Sequence, residues 1–165
     1  LLVFVNICST TKYSSEQLCK MYYKLHGLPT VIFRYFNVYG PREPLKGEYA
    51  PVVGLFLRQF KAQNTMTIVG DGIQTRDFTH VSDVVKANTA AMISENQQIF
   101  GELFNVGSGI NHSVLHLAKR IGGEYKFISE REGEAKNTLA NISKIKKYLN
   151  WSPSEDIMEY IDLNK

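Results

Sequence analysis

The segment RYFNVYGPR occupies residues 34–42 and directly follows the apolar, β-branched run TVIF at residues 30–33. Such a run is typical of a buried strand, and Gly40-Pro41 is typical of the turn that ends it. In open α/β sheets, ligands bind at the carboxyl ends of the strands. The segment therefore predicts a buried strand that delivers polar side chains, Asn37 among them, to a binding edge.

Helical and extended patterns alternate on either side of this segment. Leu18, Met21, Tyr22 and Leu25 recur with the spacing of one helix face, in a helix that begins near residue 9 and ends at His26. Similar patterns predict further helices at 50–63, 82–94, 112–121, 143–149 and 155–161, and strands at 65–69, 76–81, 103–106 and 125–128. Residues 42–48 are predicted to form a loop, and residues 1–5 a strand or the cut end of something larger. The alternation predicts an α/β fold.

Size and composition match an ordinary globular protein of one domain, or one and a fraction. The chain has 165 residues, of which 44% are apolar and 21% are charged. Two cysteines, Cys8 and Cys19, are too few for a disulfide framework, which favours a reducing, cytoplasmic compartment. The apolar residues 1–5 are too short to span a membrane and lack the charged start of a signal peptide.

The charge pattern does not support nucleic-acid binding. The net charge is only +3, and the densest basic cluster, Lys144, Lys146 and Lys147, is typical of a solvated helix face. His112 and His116 have the i, i+4 spacing of zinc ligands, but Ser113 and Val114 stand where a zinc protease helix has glutamate. We therefore predict no metal site.

Several short motifs lie along the chain in a fixed order. They are KxxxE at 12–16, GLP at 27–29, RYFNVYGPR at 34–42, GDG at 70–72, QTRDF at 74–78, VxDV at 81–84, NVG at 105–107, RxGE at 131–134 and LNWxP at 149–153. Together they resemble the C-terminal half of the extended short-chain dehydrogenases that act on nucleotide sugars, the NAD-dependent epimerases and dehydratases similar to UDP-glucose 4-epimerase.

The resemblance implies the C-terminal portion of a Rossmann-type enzyme. Residues 1–45 are then a remnant of the NAD-binding domain, and residues 46–165 form a small α/β substrate domain. Residues 74–95 are expected to pack back on the remnant. No strand in the chain is followed by Gly-x-Gly-x-x-Gly or Gly-x-x-Gly-x-x-Gly, so the pyrophosphate cradle of a Rossmann unit is absent from this sequence.

The resemblance also implies catalytic and cofactor residues. Relatives use a Tyr-x-x-x-Lys pair, in which tyrosine exchanges a proton with the sugar and lysine holds the nicotinamide ribose of NAD. Lys12 matches the lysine, but Cys8 occupies the tyrosine position, and Tyr13 points about a quarter turn away. The backbone at Tyr35 and Phe36 would approach NAD. Alternatively, Lys12 is an ordinary solvated residue near a helix start.

Seven residues match substrate contacts of the family. Asn37 would bind the diphosphate or the sugar. Arg76 and Arg131 would bind the diphosphate, and Glu134 would bind the ribose. Pro51, Phe56 and Thr67 would form the pocket around the base. Each has a plainer alternative, since Asn37 can simply end a strand, the arginines can form surface ion pairs and Phe56 can pack in a core. Asp77, Asp83 and Asn105 are expected to hold turns and caps.

These observations leave two classes of function open. The first is a fragment of an NAD-dependent nucleotide-sugar epimerase or dehydratase, an isomerase or lyase, which binds the nucleotide diphosphate but is inactive and holds NAD poorly alone. The second is a non-catalytic nucleotide-sugar binding module or a self-associating structural module. Because the apolar face of the first helix would lack most of its sheet, we expect a homodimer or larger oligomer.

Overall fold

Helices and strands alternate along the whole described chain, as the sequence predicts. The structure is a computed structural model that describes residues 7–44, 50–131 and 133–165, and for Cys8 the backbone only. The helices are α1 (Ile7–His26), α2 (Val52–Lys61), α3 (Val81–Met92), α4 (Val114–Ile121), α5 (Ser143–Leu149) and α6 (Ile157–Asn164). The strands are β1 (Ile32–Tyr35), β2 (Val38–Tyr39), β3 (Met66–Val69), β4 (Thr75–Asp77), β5 (Thr79–His80), β6 (Leu103–Val106), β7 (Asn111–Ser113) and β8 (Tyr125–Ile128).

Some predicted boundaries shift, for local reasons. The strand expected at 30–33 is β1, two residues later, because it pairs with β6 from Ile32 to Tyr35. The helix expected from residue 112 begins at Val114, since the Ser113 hydroxyl caps it by accepting the His116 amide at 3.1 Å. The strand predicted at 1–5 and residues 45–48 of the predicted loop lie outside the described residues.

Parallel strand pairs dominate the described sheets. β1 pairs with β6, β2 with β5 and β3 with β8, all in parallel, whereas β4 and β7 are antiparallel. Each parallel pair is joined through at least one helix, as parallel geometry requires. The predicted α/β class is therefore confirmed.

Two apolar clusters form the core. One joins α2, β3, α4 and α6 around the fully buried Phe56, Ile68 and Leu117. The other joins α3, α5 and β6 around Phe104 and packs against Phe33 of β1. Helix α3, which forms most of the segment at 74–95, therefore shares its core with β1, β6 and α5, whereas Phe78 of that segment lies in the first cluster.

Two buried carboxylates fasten these elements, as the sequence analysis expects of Asp77 and Asp83. Asp77 accepts hydrogen bonds from the amides of Ser108, Gly109 and Ala140 at 2.7, 2.9 and 3.0 Å. It thereby ties β4 to the turn after β6 and to the segment that leads into α5. Asp83 at the start of α3 accepts hydrogen bonds from the chain before α6.

Helix α1 is covered on one face only in the described structure. Its buried Glu16 forms a two-point ion pair with Arg34 of β1, with both nitrogen–oxygen distances at 2.6 Å. The apolar residues that predict the helix, Leu18, Met21, Tyr22 and Leu25, are between 44% and 64% exposed. No helix among the described residues is long and apolar enough to cross a membrane.

Candidate functional site

A cavity of about 470 Å³ opens between the start of α2, strands β2 to β4 and the segment around residue 131. Six of the seven residues assigned to the substrate line it: Asn37, Pro51, Thr67, Arg76, Arg131 and Glu134. They come from five separate stretches of the chain, and the fold brings them together. Much of the remaining wall is apolar, including Val52, Leu55, Val69, Phe78, Val114 and Ile128.

Asn37 lies in the two-residue turn between β1 and β2, immediately before β2, and it lines the cavity. Its φ angle of +28° is unusual for a residue other than glycine and turns the chain into β2. The side-chain amide nitrogen donates to the Asp77 carbonyl at 2.8 Å and to the Thr138 hydroxyl at 3.4 Å. Because both contacts use the nitrogen, the amide oxygen is the atom that Asn37 can offer to a ligand.

Arg76 is a largely buried cation in the cavity wall, with a side chain only 14% exposed. Its Nη1 donates to the carbonyl oxygens of Thr75 and Lys136 at 2.9 and 3.4 Å. Its Nη2 lies 3.5 Å from Oε2 of Glu134. Burial lowers the pKa of Arg76 and the Glu134 charge opposes that shift, but a guanidinium stays protonated in proteins.

The segment that carries Arg131 and Glu134 is fastened to β4 through Thr75. The Thr75 amide donates to the Lys136 carbonyl at 3.0 Å, and the Thr138 amide donates to the Thr75 carbonyl at 3.1 Å. Arg131 Nη1 lies 3.9 Å from Oε1 of Glu134. Among the described residues, those with charged side chains in the cavity lining are two arginines and one glutamate, whose charges sum to +1.

Two side-chain contacts in this region are not predicted from the sequence. Gln59 of α2 holds Thr67 by two hydrogen bonds of 3.2 Å, one to its hydroxyl and one from its amide. Gln74 lines the cavity and donates to the Val69 carbonyl at 2.9 Å. Gln74 lies inside the QTRDF motif, two residues before Arg76, and that proximity was a usable signal. Gln59 lies in no motif, so only the fold identifies it.

Phe56 does not take the predicted place in the pocket wall. It is fully buried in the cluster around α2 and does not line the cavity, because it lies on the core-facing side of that helix. Plain core packing, the alternative considered for this residue, describes it correctly. The pocket wall on α2 is instead formed by residues at its start, such as Val52 and Leu55.

The residues assigned to the cofactor lie away from this cavity. Tyr35 is 46% exposed, donates its hydroxyl to Asn88 at 3.0 Å and lines a separate, shallower depression beside α3. Phe36 packs against the core around Phe104, and Lys12 is exposed on α1. The side chain of Cys8 lies outside the described structure. Lys12, Tyr35 and Phe36 therefore do not share a cavity with the substrate set.

The two histidines of interest contact one another rather than a wider ligand set. The ring centroids of His112 and His116 lie 5.6 Å apart. Burial is the larger cause of the lowered pKa of His112, and the neighbouring His116 imidazole is the second. Within the described ranges, no group of three or more histidine, cysteine, aspartate or glutamate side chains is placed to hold a metal ion.

Comparison with known proteins identifies the family of the chain. Residues 4–107 match the NAD dependent epimerase/dehydratase family. The chain belongs to that family. A putative UDP-glucose 4-epimerase of Methanocaldococcus jannaschii is 39% identical over 157 residues, which cover 92% of this chain and 49% of that protein. A UDP-N-acetyl-alpha-D-glucosaminuronate decarboxylase of Bacillus cytotoxicus is 44% identical over 115 residues, covering 70% of this chain and 33% of the decarboxylase.

Solved structures of family members have the same fold. The UDP-glucuronic acid 4-epimerase of Bacillus cereus, in complex with UDP-glucuronic acid and NAD, superposes with a TM-score of 0.88 at 33% identity. The match covers 99% of this chain and 52% of the epimerase. The chain thus corresponds to a Rossmann-type extended dehydrogenase, and it spans about half the length of these epimerases.

Proposed function

We propose that the cavity binds the nucleoside diphosphate part of a nucleotide sugar. One observation carries the proposal: Arg76, Arg131, Glu134 and Asn37 reach a single cavity from three separate parts of the chain. Guanidinium groups suit paired phosphate oxygens because their donors form a planar fork. The apolar wall offers a flat base a surface to pack against, and the net positive lining favours an anion.

The hydrogen bonding of Asn37 favours the sugar over the diphosphate as its target. Its amide nitrogen already donates to Asp77 and Thr138, so a ligand meets an acceptor oxygen. A hydroxyl can donate to that oxygen, whereas an ionised phosphate cannot. We therefore assign the diphosphate to the arginines and a sugar or ribose hydroxyl to Asn37.

The nucleotide is proposed to be uridine diphosphate, because the relatives above act on UDP-sugars by name. Their names include epimerases and a decarboxylase, so the reaction class stays open between an isomerase and a lyase. For the full-length protein we propose NAD-dependent chemistry on a nucleotide sugar. The cysteine content favours the cytoplasm as its compartment.

This chain alone is proposed to be inactive and to bind NAD weakly. The described residues do not fit the pyrophosphate of NAD, because no strand in them is followed by Gly-x-Gly-x-x-Gly or Gly-x-x-Gly-x-x-Gly. A tyrosine four residues before Lys12 is also missing from the sequence. Measurable epimerisation of UDP-glucose by this chain with added NAD would contradict the proposal.

The packing supports a two-part organisation. We propose that residues 1–45 belong to the NAD-binding domain and residues 46–165 to the substrate domain, with 74–95 returning to the first. The core that joins Phe33, Ala87 and Phe104 supports that return. Because this core also contains Ile145 and Leu149, we extend the returning part to β6 and α5.

Calorimetry with UDP tests the binding proposal. We expect UDP to bind, and Arg76→Gln to lower the affinity for UDP by about tenfold or more. Arg76→Lys should restore only part of that affinity, because lysine lacks the planar donor fork of a guanidinium group. Lys61→Gln removes the same charge outside the cavity and should leave the affinity unchanged. Absence of UDP binding to the folded chain would refute the proposal. UDP binding without NAD binding is expected both of this fragment and of a nucleotide-sugar binding module.

Self-association is a second proposed property, supported by the exposed apolar face of α1. Leu18, Met21, Tyr22 and Leu25 lie on that face, opposite the Glu16 side that packs on β1. Exposed apolar patches of this kind mark interfaces between proteins. We propose that two copies of the chain cover this face mutually.

A further inference from the structure

Glu134 stands between the two arginines of the cavity. Its Oε2 lies 3.5 Å from Arg76 Nη2, and its Oε1 lies 3.9 Å from Arg131 Nη1. One carboxylate thus uses both oxygens on the two cations to which the diphosphate is assigned. Both distances exceed the 2.7–2.9 Å that is usual for a strong charge-assisted hydrogen bond, so the contacts are loose.

The three groups differ in how firmly they are held. Arg76 is fixed, since it is largely buried and donates to the carbonyl oxygens of Thr75 and Lys136. The side chains of Glu134 and Arg131 are each 39% exposed. The Glu134 side chain can therefore leave towards solvent, whereas Arg76 must stay where it is and needs an anion nearby.

We propose that Glu134 is an internal counter-ion that a diphosphate displaces from Arg76 and Arg131. This inference rests on the proposed function of the cavity and adds a regulatory step to it. A nucleotide sugar brings two negative phosphates to the same two guanidinium groups, where the carboxylate would repel them. Only a ligand that can satisfy both arginines compensates fully for the two contacts that Glu134 gives up. The device therefore favours diphosphates over monophosphates.

The counter-ion role is separable from the ribose contact that the family resemblance implies for Glu134. Inorganic pyrophosphate carries the two phosphates but no ribose. Removing the carboxylate charge should strengthen pyrophosphate binding if Glu134 competes for the arginines. It should have no such effect if Glu134 acts only on the ribose.

The experiment compares wild type, Glu134→Gln and Glu130→Gln by calorimetry with inorganic pyrophosphate and with UDP. Glu130 is the matched control, because its substitution removes the same charge on the same segment. It does not line this cavity, and the neighbouring cavity that it lines shares Arg131 and Glu134 with this one, so it controls for charge close to the arginines. We expect E134Q to bind pyrophosphate about threefold to tenfold more tightly, and E130Q to stay within about twofold of wild type. UDP should gain less than pyrophosphate from E134Q, since any ribose contact is weakened at the same time.

Each outcome decides a separate point. Unchanged or weaker pyrophosphate binding by E134Q, with UDP still bound by wild type, overturns the counter-ion role and leaves the proposed function standing. An equal gain in E130Q also overturns it, because the gain then does not depend on the two contacts of Glu134. If no variant binds either ligand, both the counter-ion role and the proposed function fail. Circular dichroism should show unchanged folding, since Glu134 is exposed.

Discussion

Asp83 illustrates how much a single buried carboxylate can hold in this fold. It is 1% exposed and accepts hydrogen bonds from the Ser154 amide at 3.0 Å, the Ser154 hydroxyl at 2.8 Å and the Glu155 amide at 3.0 Å. Lys86 lies 3.2 Å away. Burial alone would raise the pKa of Asp83, but the hydrogen bonds from Glu155, Ser154 and Lys86 outweigh it and lower the pKa.

Replacing Asp83 with Asn should destabilise the chain by about 2–4 kcal/mol, because buried amides lose a charged acceptor. The lowered pKa in the folded state means that Asp83 stabilises the fold fully above its unfolded value near 3.9, and that this contribution fades as pH falls through the folded value. Urea unfolding between about pH 3 and pH 7 should therefore show that the free energy of unfolding falls less on acidification in D83N than in wild type. Exposed Glu95→Gln is the control, and a pH profile for D83N that parallels wild type would contradict the argument.

At the scale of one element, a carboxylate from the loop between β2 and α2 packs against the start of α2. Pro51 provides no side-chain cap, and the Glu43 carboxylate instead lies against Gly54, with its Oε1 3.3 Å from Arg58 Nη1. A Cβ at position 54 would lie 1.1 Å from that same Oε1. Glycine is thus required there by Glu43 and not by the helix itself. The contact of Glu43 with α2 matters for the site because Pro51, Val52 and Leu55 line the cavity.

The effect of Gly54→Ala should therefore change sign with the residue at 43. In wild type we expect a loss of about 1 kcal/mol, because the new methyl group displaces Glu43 from its place beside α2 and from Arg58. In an E43A background the same substitution should stabilise by about 0.5–1 kcal/mol, since alanine is the better helix former. Urea unfolding of wild type, G54A, E43A and the double variant measures the coupling energy between positions 43 and 54. Equal effects in both backgrounds would show that Glu43 does not determine the requirement for glycine.

At the scale of the whole molecule, the motifs predict the cavity better than they predict its supports. Arg76, Arg131 and Asn37 are identifiable because their neighbours in sequence carry the family pattern. Strand β7 and the attachment of Thr75 to Lys136 and Thr138 escape prediction, since these short pairings depend on chain segments far apart in sequence. Periodicity reports that one face of an element is apolar, but not which partner covers it. Phe56 is an example, because its apolar character fits a pocket wall and a core equally well.

Helix α1 also has an apolar face whose covering partner the sequence pattern does not identify. Its Glu16 side is buried against Arg34 of β1, while its other face leaves Leu18 and Leu25 53% and 64% exposed. We expect the chain to self-associate through this face, because covering apolar surface is favourable by roughly 25 cal/mol per Å². A Leu18→Glu and Leu25→Glu double variant should be monomeric by light scattering and retain its UDP affinity, since neither leucine lines the cavity. The matched control is Gln97→Glu with Gln98→Glu, which adds the same charge at exposed polar positions and should assemble like wild type. A wild-type chain that stays monomeric at high micromolar concentration would remove the interface from the proposal and leave the nucleotide site untouched.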